Sequence, residues 1–190
     1  NLHATCYGSA DLEPAARHLE EAVRIAPEDR KVQFFLGMFR DYQKNSEQAK
    51  KHFLLLRNGT DTDAARLDSW QYIKSLSASL PRLFCHTPDG LRIGIEAAQI
   101  GGLVLEFGVL FGTTIRHLSA IARQDVHGFD SFQGLPEAWH NRPKGEYSTH
   151  GKLPEVSENV HLHVGFFGES LPPFLKKHTD PIRFLHVDCD

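Results

Sequence analysis

The hydrophobic period of this chain changes once along its length, and the two periods require two kinds of structure. Up to residue 58, apolar residues recur at three- and four-residue steps. Leu12, Ala15, Ala16, Leu19, Ala22, Val23 and Ala26 form one stripe, stopped by Pro27. Val32, Phe35, Leu36, Phe39 and Tyr42 form a second, and Ala49, Phe53 and Leu56 a third. Such spacing marks the buried face of amphipathic helices. From Gly102 the pattern becomes short apolar runs bounded by glycine and turn residues. Leu103 to Leu105, Val126 to Phe129, Val160 to Val164 and Ile182 to Val187 read as buried strands. Thr113 to Ala122 and Leu171 to Lys177 read as helices between them, and 131–158 as a long loop rich in Pro, Gly and charge. Strands alternating with helices predict an open, mostly parallel α/β sheet.

The join is expected at 59–66, where Gly59, Thr60, Asp61, Thr62 and Asp63 make a polar, turn-rich run. Leu67, Trp70, Ile73, Leu76 and Leu80 then suggest a helix ended by Pro81, and a short helix from Leu91 to Ala98 follows the Pro88-Asp89-Gly90 turn. The chain thus divides into a helical module (1–58), a linker with a helix (59–89) and an α/β part (90–190).

The helical module carries a period of its own. Ala49 lies 34 residues after Ala15, Phe53 lies 34 after Leu19, and Leu36 lies 34 after Leu2. A small residue at the close helix contact, a large one four positions on, a Leu36-Gly37 pair and a proline after the second helix resemble the tetratricopeptide repeat. His3 stands where the small residue of the first repeat is expected. Helix pairs of this kind bury their apolar faces by stacking, and one repeat with part of another falls short of the ~3 needed for stability. Further repeats upstream, or packing on the next domain, are therefore expected.

Composition excludes several classes. With 190 residues, 41% hydrophobic and 24% charged, the chain is globular in composition, sized for one domain or a module joined to part of another. A net charge of -3 without a Lys/Arg block gives no electrostatic reason for nucleic acid or an anionic membrane. No run approaches the ~18 apolar residues of a spanning helix. Cys6, Cys85 and Cys189 are an odd number without a C-x-x-C, which argues against a disulfide framework or structural zinc and fits a cytoplasmic location. The chain opens on Asn1 without a signal peptide and stops at Asp190 directly behind an apolar run, so a fragment is expected.

The chemical signal centres on Glu106-Phe107-Gly108-Val109-Leu110-Phe111-Gly112, between a strand and a helix, where open α/β sheets bind ligands. Gly108 suits a tight turn and Gly112 the opening of the helix. The run is not G-x-G-x-x-G, so a dinucleotide pyrophosphate loop is poorly supported. Asp130 ends the second strand 22 positions after Gly108, where an acidic side chain holds the hydroxyls of an adenosyl ribose. His161 and His163 share a strand face and could bind metal, although surface strand residues are the stronger reading. His140 and His150 lie in the loop where a substrate lid would sit. Trp139, Phe132 and Tyr147 could shape an acceptor pocket or anchor the loop on the core. Cys189, between two aspartates, is expected in the core.

Five blocks then agree in order: Leu105 to Val109, Gly128 to Glu137 (GFDSFQGLPE), Gly151 to Val156, Gly165-Phe166-Phe167 with Leu171-Pro172, and Phe184 to Asp190 (FLHVDCD). Together they resemble the macrocin O-methyltransferase family of class I S-adenosylmethionine-dependent methyltransferases, over about residues 90–190. The resemblance implies a Rossmann-like, here incomplete, class I methyltransferase fold acting on a hydroxyl of a sugar or other small polar acceptor. It implies that Glu106 and Gly108, with the Gly112 turn, line the methionine and ribose part of S-adenosyl-L-methionine. Asp130 would bind the ribose hydroxyls with Ser131 and Phe132 beside it, and Gly165 and Phe166 would lie near the adenine. Asp188 matches the first carboxylate of a Mg²⁺ site and Asp190 a general base; two more metal carboxylates of the family fall beyond Asp190, so this piece alone is expected to be inactive. Two other readings stand beside this one: a protein-binding scaffold in which the helical repeats do the work, and a nicotinamide-dependent oxidoreductase, disfavoured by the missing glycine pattern.

Overall fold

A computed structural model describes residues 12–76, 84 and 86–189. Leu2, His3, Cys6, the helix end expected at Leu80 and Pro81, Cys85 and the candidate base Asp190 lie outside the described residues. The chain forms two compact units, Asn1–Cys85 and His86–Asp190.

The described part of the first unit is four helices: α1 (Glu13–Ile25), α2 (Arg30–Tyr42), α3 (Ser46–Arg57) and α4 (Asp61–Leu76). Asp29 caps α2 by accepting from the Lys31 and Val32 N–H groups, and Asn45 caps α3 from Gln48. Ala15, Ala16 and Leu19 of α1 pack against Leu36 and Phe39 of α2. Phe34, on the other side of α2, joins Ala49, Phe53, Leu56 and Trp70. Gly37 faces Phe53 so closely that a Cβ there would lie 2.6 Å from its ring. Asp41, buried in this unit, accepts from the Trp70 indole N–H at 2.9 Å and pairs with Lys74 at 2.5 Å. The polar run expected as a boundary at 59–66 is instead the start of α4. The Thr60 N–H donates to Asp63 and the Asp63 N–H donates back to the Thr60 hydroxyl, a reciprocal cap that opens a helix.

The second unit runs α5 (Thr87–Ala97), β1 (Leu103–Phe107), α6 (Thr113–Ala122), β2 (Val126–Asp130), β3 (Val160–Val164), α7 (Phe167–Lys177) and β4 (Ile182–Val187). The four strands form one all-parallel sheet in the order β3-β2-β1-β4. The α/β class and the parallel sheet expected from the sequence are therefore present. One face of the sheet, with Val104, Val126 and Val160, packs on Leu91 and Ile95 of α5 and Ile115 and Leu118 of α6. The other carries Leu103, Leu105 and Phe129 against Phe174 of α7.

Two helices begin earlier than expected. α5 starts at Thr87, with Pro88 in its first turn, where proline's missing N–H costs nothing. α7 starts at Phe167, four residues before the expected Leu171, and carries Pro172 and Pro173 in its interior. Because every strand runs the same way, the turns after β1, β2, β3 and β4 gather on one edge of the sheet.

Candidate functional site

A cavity of about 480 Å³ opens on that edge. Its first wall is the turn between β1 and α6. Gly108 has φ +89°, and a Cβ on it would collide with the Asp188 carbonyl oxygen, so only glycine fits between β1 and the end of β4. Leu110 follows at φ 49° and Gly112 at φ 73°. The backbone N–H groups of Val109 and Leu110 converge on one Asp130 oxygen at 2.8 Å each, while the other oxygen accepts from the Phe132 N–H at 2.7 Å. Successive N–H groups turned to one point make an anion-binding concavity. Here the chain's own carboxylate fills it.

The second wall comes from the start of the loop after β2, with Ser131, Gly134, Leu135 and Pro136, joined by Tyr147. Ser131 Oγ accepts from the Gln133 N–H. Gly165, Phe166 and Phe167, between β3 and α7, form a third wall, and Asp188 and Cys189, after β4, a fourth. The Gly165 N–H donates to the Asp130 carbonyl at 3.1 Å, and that of Asp188 to the Phe107 carbonyl at 2.8 Å. Among the described residues the lining carries two carboxylates, Asp130 and Asp188, the hydroxyls of Thr113, Thr114, Ser131 and Tyr147, the Cys189 thiol, and no Lys, Arg or His.

Of the residues marked in the sequence, Gly108, Asp130, Ser131, Tyr147, Gly165, Phe166 and Asp188 meet on this cavity, and Trp139 does not line it. Glu106, Gly112 and Phe132 are not on its wall. Glu106 is fully buried beneath it; one oxygen accepts from the Thr114 hydroxyl at 2.8 Å and the other pairs with His186 Nδ1 at 3.0 Å. The hydrogen bond to Glu106 holds the His186 imidazole above its ordinary pKa against the effect of burial, and Asp188 adds to the rise. Gly112 packs near Pro154. Phe132 is a core residue whose carbonyl ties down the far end of its loop through the Thr149 and Gly151 N–H groups.

Other expectations need correction. Cys189, expected in the core, is exposed on the cavity wall, because β4 ends at Val187 and the strand alternation ends with it. The loop 131–158 is internally hydrogen-bonded: Leu135 donates to the Glu146 carbonyl, Gly145 to that of Leu135, and Trp139 and Arg142 bridge each other. His140 and His150 are exposed and off the cavity. His163 is not a plain surface residue: its ring stacks on Phe129 at 4.6 Å. His161 is exposed and does have a carboxylate partner, Asp125, at 3.4 Å. Among the described residues no group of three or more His, Cys, Asp or Glu side chains is placed to hold a metal ion.

Thr113, Thr114 and the pairing of His186 with Glu106 were missed in the sequence. His186 is the β4 register partner of Glu106, and that pairing becomes visible only once strand order is known.

No protein-family model and no curated protein matches the chain. Among the described residues no helix is long and apolar enough to cross a membrane. The fold and the cavity define an α/β protein with a cavity at the carboxyl edge of a parallel sheet.

Proposed function

We propose that residues 86–190 bind the nucleoside part of S-adenosyl-L-methionine and belong to an O-methyltransferase of the macrocin type. Residues 12–76 would be a tetratricopeptide-repeat-like module. The observation that carries this reading is the charge of the cavity. A dinucleotide brings a pyrophosphate and needs open N–H groups at the first helix; here Asp130 occupies them and adds a second negative charge to the wall. S-adenosyl-L-methionine carries a sulfonium and an ammonium group against one carboxylate, and that net positive charge suits a wall with two carboxylates and, among the described residues, no Lys, Arg or His. This argues against the nicotinamide reading on grounds independent of the glycine spacing.

The residues present divide the work. Gly108 lets the ligand approach the backbone. A carboxylate accepts about four hydrogen bonds, and Asp130 already uses three on Val109, Leu110 and Phe132. It has capacity for one ribose hydroxyl rather than the two expected from the sequence. Gly165 and Phe166 offer an apolar wall for the base. When bound, the cofactor supplies an electrophilic methyl group; the chain's task is to align it and to take the acceptor's proton. Asp190 keeps its proposed role as that base. For Mg²⁺ the described residues supply Asp188 alone, so the proposal assigns it one ligand and derives no step through the ion.

The repeat reading is supported by the burial of Ala15 and Ala49 and of Leu19 and Phe53, each pair 34 positions apart. Leu54, Leu55, Tyr72 and Leu76 are exposed apolar residues of the same unit and support a protein partner for it.

Calorimetry of the chain against S-adenosylhomocysteine and against NAD tests the proposal. Binding of S-adenosylhomocysteine is expected, weakened at least ~10-fold by Asp130→Ala, and NAD should not bind. Binding of NAD without S-adenosylhomocysteine would overturn it.

A further inference from the structure

Among the described residues, seven other than glycine have positive φ: Lys44, Leu110, Arg123, Phe132, His140, Tyr147 and His150. Most have a local reason. Lys44 and Arg123 follow the ends of α2 and α6, where a left-handed residue commonly closes a helix. Phe132 is held by core burial. His140 and His150 are of a residue type that enters this region more readily than most. Leu110 and Tyr147 remain, and both line the cavity, on different walls. Tyr147 has φ 62° and is 44% exposed. Neither burial nor backbone preference places a tyrosine there, and glycine would fit the same turn without strain. Strained residues of this kind persist where the side chain has a task.

We infer that Tyr147 is a specificity-determining residue of the cavity whose ring stacks on the planar base of the bound nucleoside. This rests on the nucleoside reading proposed above. Tyr147 shares its wall with Ser131, Leu135 and Pro136, which follow directly from Asp130 in the chain. A ribose held at Asp130 therefore has Tyr147 on the wall that begins at its sugar contact. The Arg142 guanidinium lies over the Tyr147 ring, 5.9 Å from its centre. It is joined to Glu146 at 3.2 Å, so the ring's immediate chain neighbour takes part in holding the guanidinium there.

The test separates function from structure because the two readings predict opposite signs. Tyr147→Gly relieves the left-handed backbone, so the melting temperature should be unchanged or raised. Affinity for S-adenosylhomocysteine should fall by about fivefold or more, as expected for losing one base–aromatic stack. Adenosine, which has the base but no amino-acid tail, should lose affinity by the same factor. Tyr147→Asn, also tolerant of positive φ, should behave like the glycine variant, and Tyr147→Phe should bind like the parent. Unchanged binding in the glycine and asparagine variants would overturn the inference while leaving the nucleoside reading intact. A lowered melting temperature in both would make Tyr147 a structural residue, and a loss confined to S-adenosylhomocysteine would move its contact from the base to the tail. If the parent chain binds neither ligand, the nucleoside reading fails and the inference fails with it.

Discussion

At the scale of single residues, His127 gives the α/β unit an acid-sensitive contribution to stability. It sits in β2, 7% exposed, under a ring of aromatic neighbours. His161 and His163 face it from β3, Phe174 from α7 and His178 from the residue that follows α7, with ring centres 4.9 to 5.4 Å away. His127 Nδ1 lies 3.2 Å from His163 Nε2. Burial, then the neighbouring imidazoles, push His127 down to about 4, with Asp125 opposing weakly. His163 is lowered too, by burial, by His161 and His178, and by Lys177. A histidine with a depressed folded pKa is neutral in the native state but charges readily once unfolded. Its contribution is therefore fully present above pH 6.5 and is lost as pH falls from 6.5 to about 4. For His127 the full loss is on the order of 3 kcal/mol. Urea unfolding followed by circular dichroism should show this unit weakening across that window, and His127→Phe should flatten the decline. Equal stability of the parent at pH 7.5 and 4.5 would contradict the assignment.

At the scale of elements, the strands and α6 were legible because each has one apolar run and one pair of turn signals. The elements that were misread show which signals compete. α2 reads as a single stripe through Leu36 and Phe39, yet Gln33, Phe34 and Gly37 are buried as well, because the helix lies between α1 and α3 and buries two faces. The 59–66 run reads as a loop because Thr and Asp serve equally in turns and in helix caps. A start of α7 at Leu171, as expected, would leave Pro172 and Pro173 in the first turn, where proline is tolerated. In fact Phe174, Leu171 and Phe167 are needed on one face to cover Leu105 and Phe129, and tertiary packing draws the helix back to Phe167. Both prolines then sit in the interior, where each removes a backbone hydrogen bond and crowds the preceding turn. Replacing Pro173 by Ala should therefore stabilise the unit, by about 1–2 kcal/mol once the freer unfolded chain is allowed for. A stability loss on chemical denaturation would mean that the helix begins at Leu171 after all.

At the scale of the whole molecule, the site was legible as a set of residues and not as an arrangement. Gly108 and Asp130 are separable in sequence because one follows β1 directly and the other ends β2. That Asp130 would close on the Val109 and Leu110 N–H groups, or that Glu106 would leave the wall to bond Thr114 and His186, depends on strand order, which no local pattern carries. The division into two units has its own thermodynamic consequence. The apolar clusters of residues 12–76 and those of 91–184 share no residue. Among the described residues the cavity lining falls within 108–189, and a ligand bound there stabilises what it binds by about 2.7 kcal/mol at a hundred times its Kd. The chain has two tryptophans, Trp70 buried in the helical unit and Trp139 in the loop of the α/β unit. In a Trp139→Phe variant, fluorescence reports unfolding around Trp70 alone, while in a Trp70→Phe variant it reports the α/β unit. Saturating S-adenosylhomocysteine should raise the transition seen through Trp139 by several degrees and leave that seen through Trp70 within error. Equal shifts in the two variants would show that the units unfold as one cooperative body, so that ligand bound at Asp130 stabilises the packing of Trp70 against Asp41 as well.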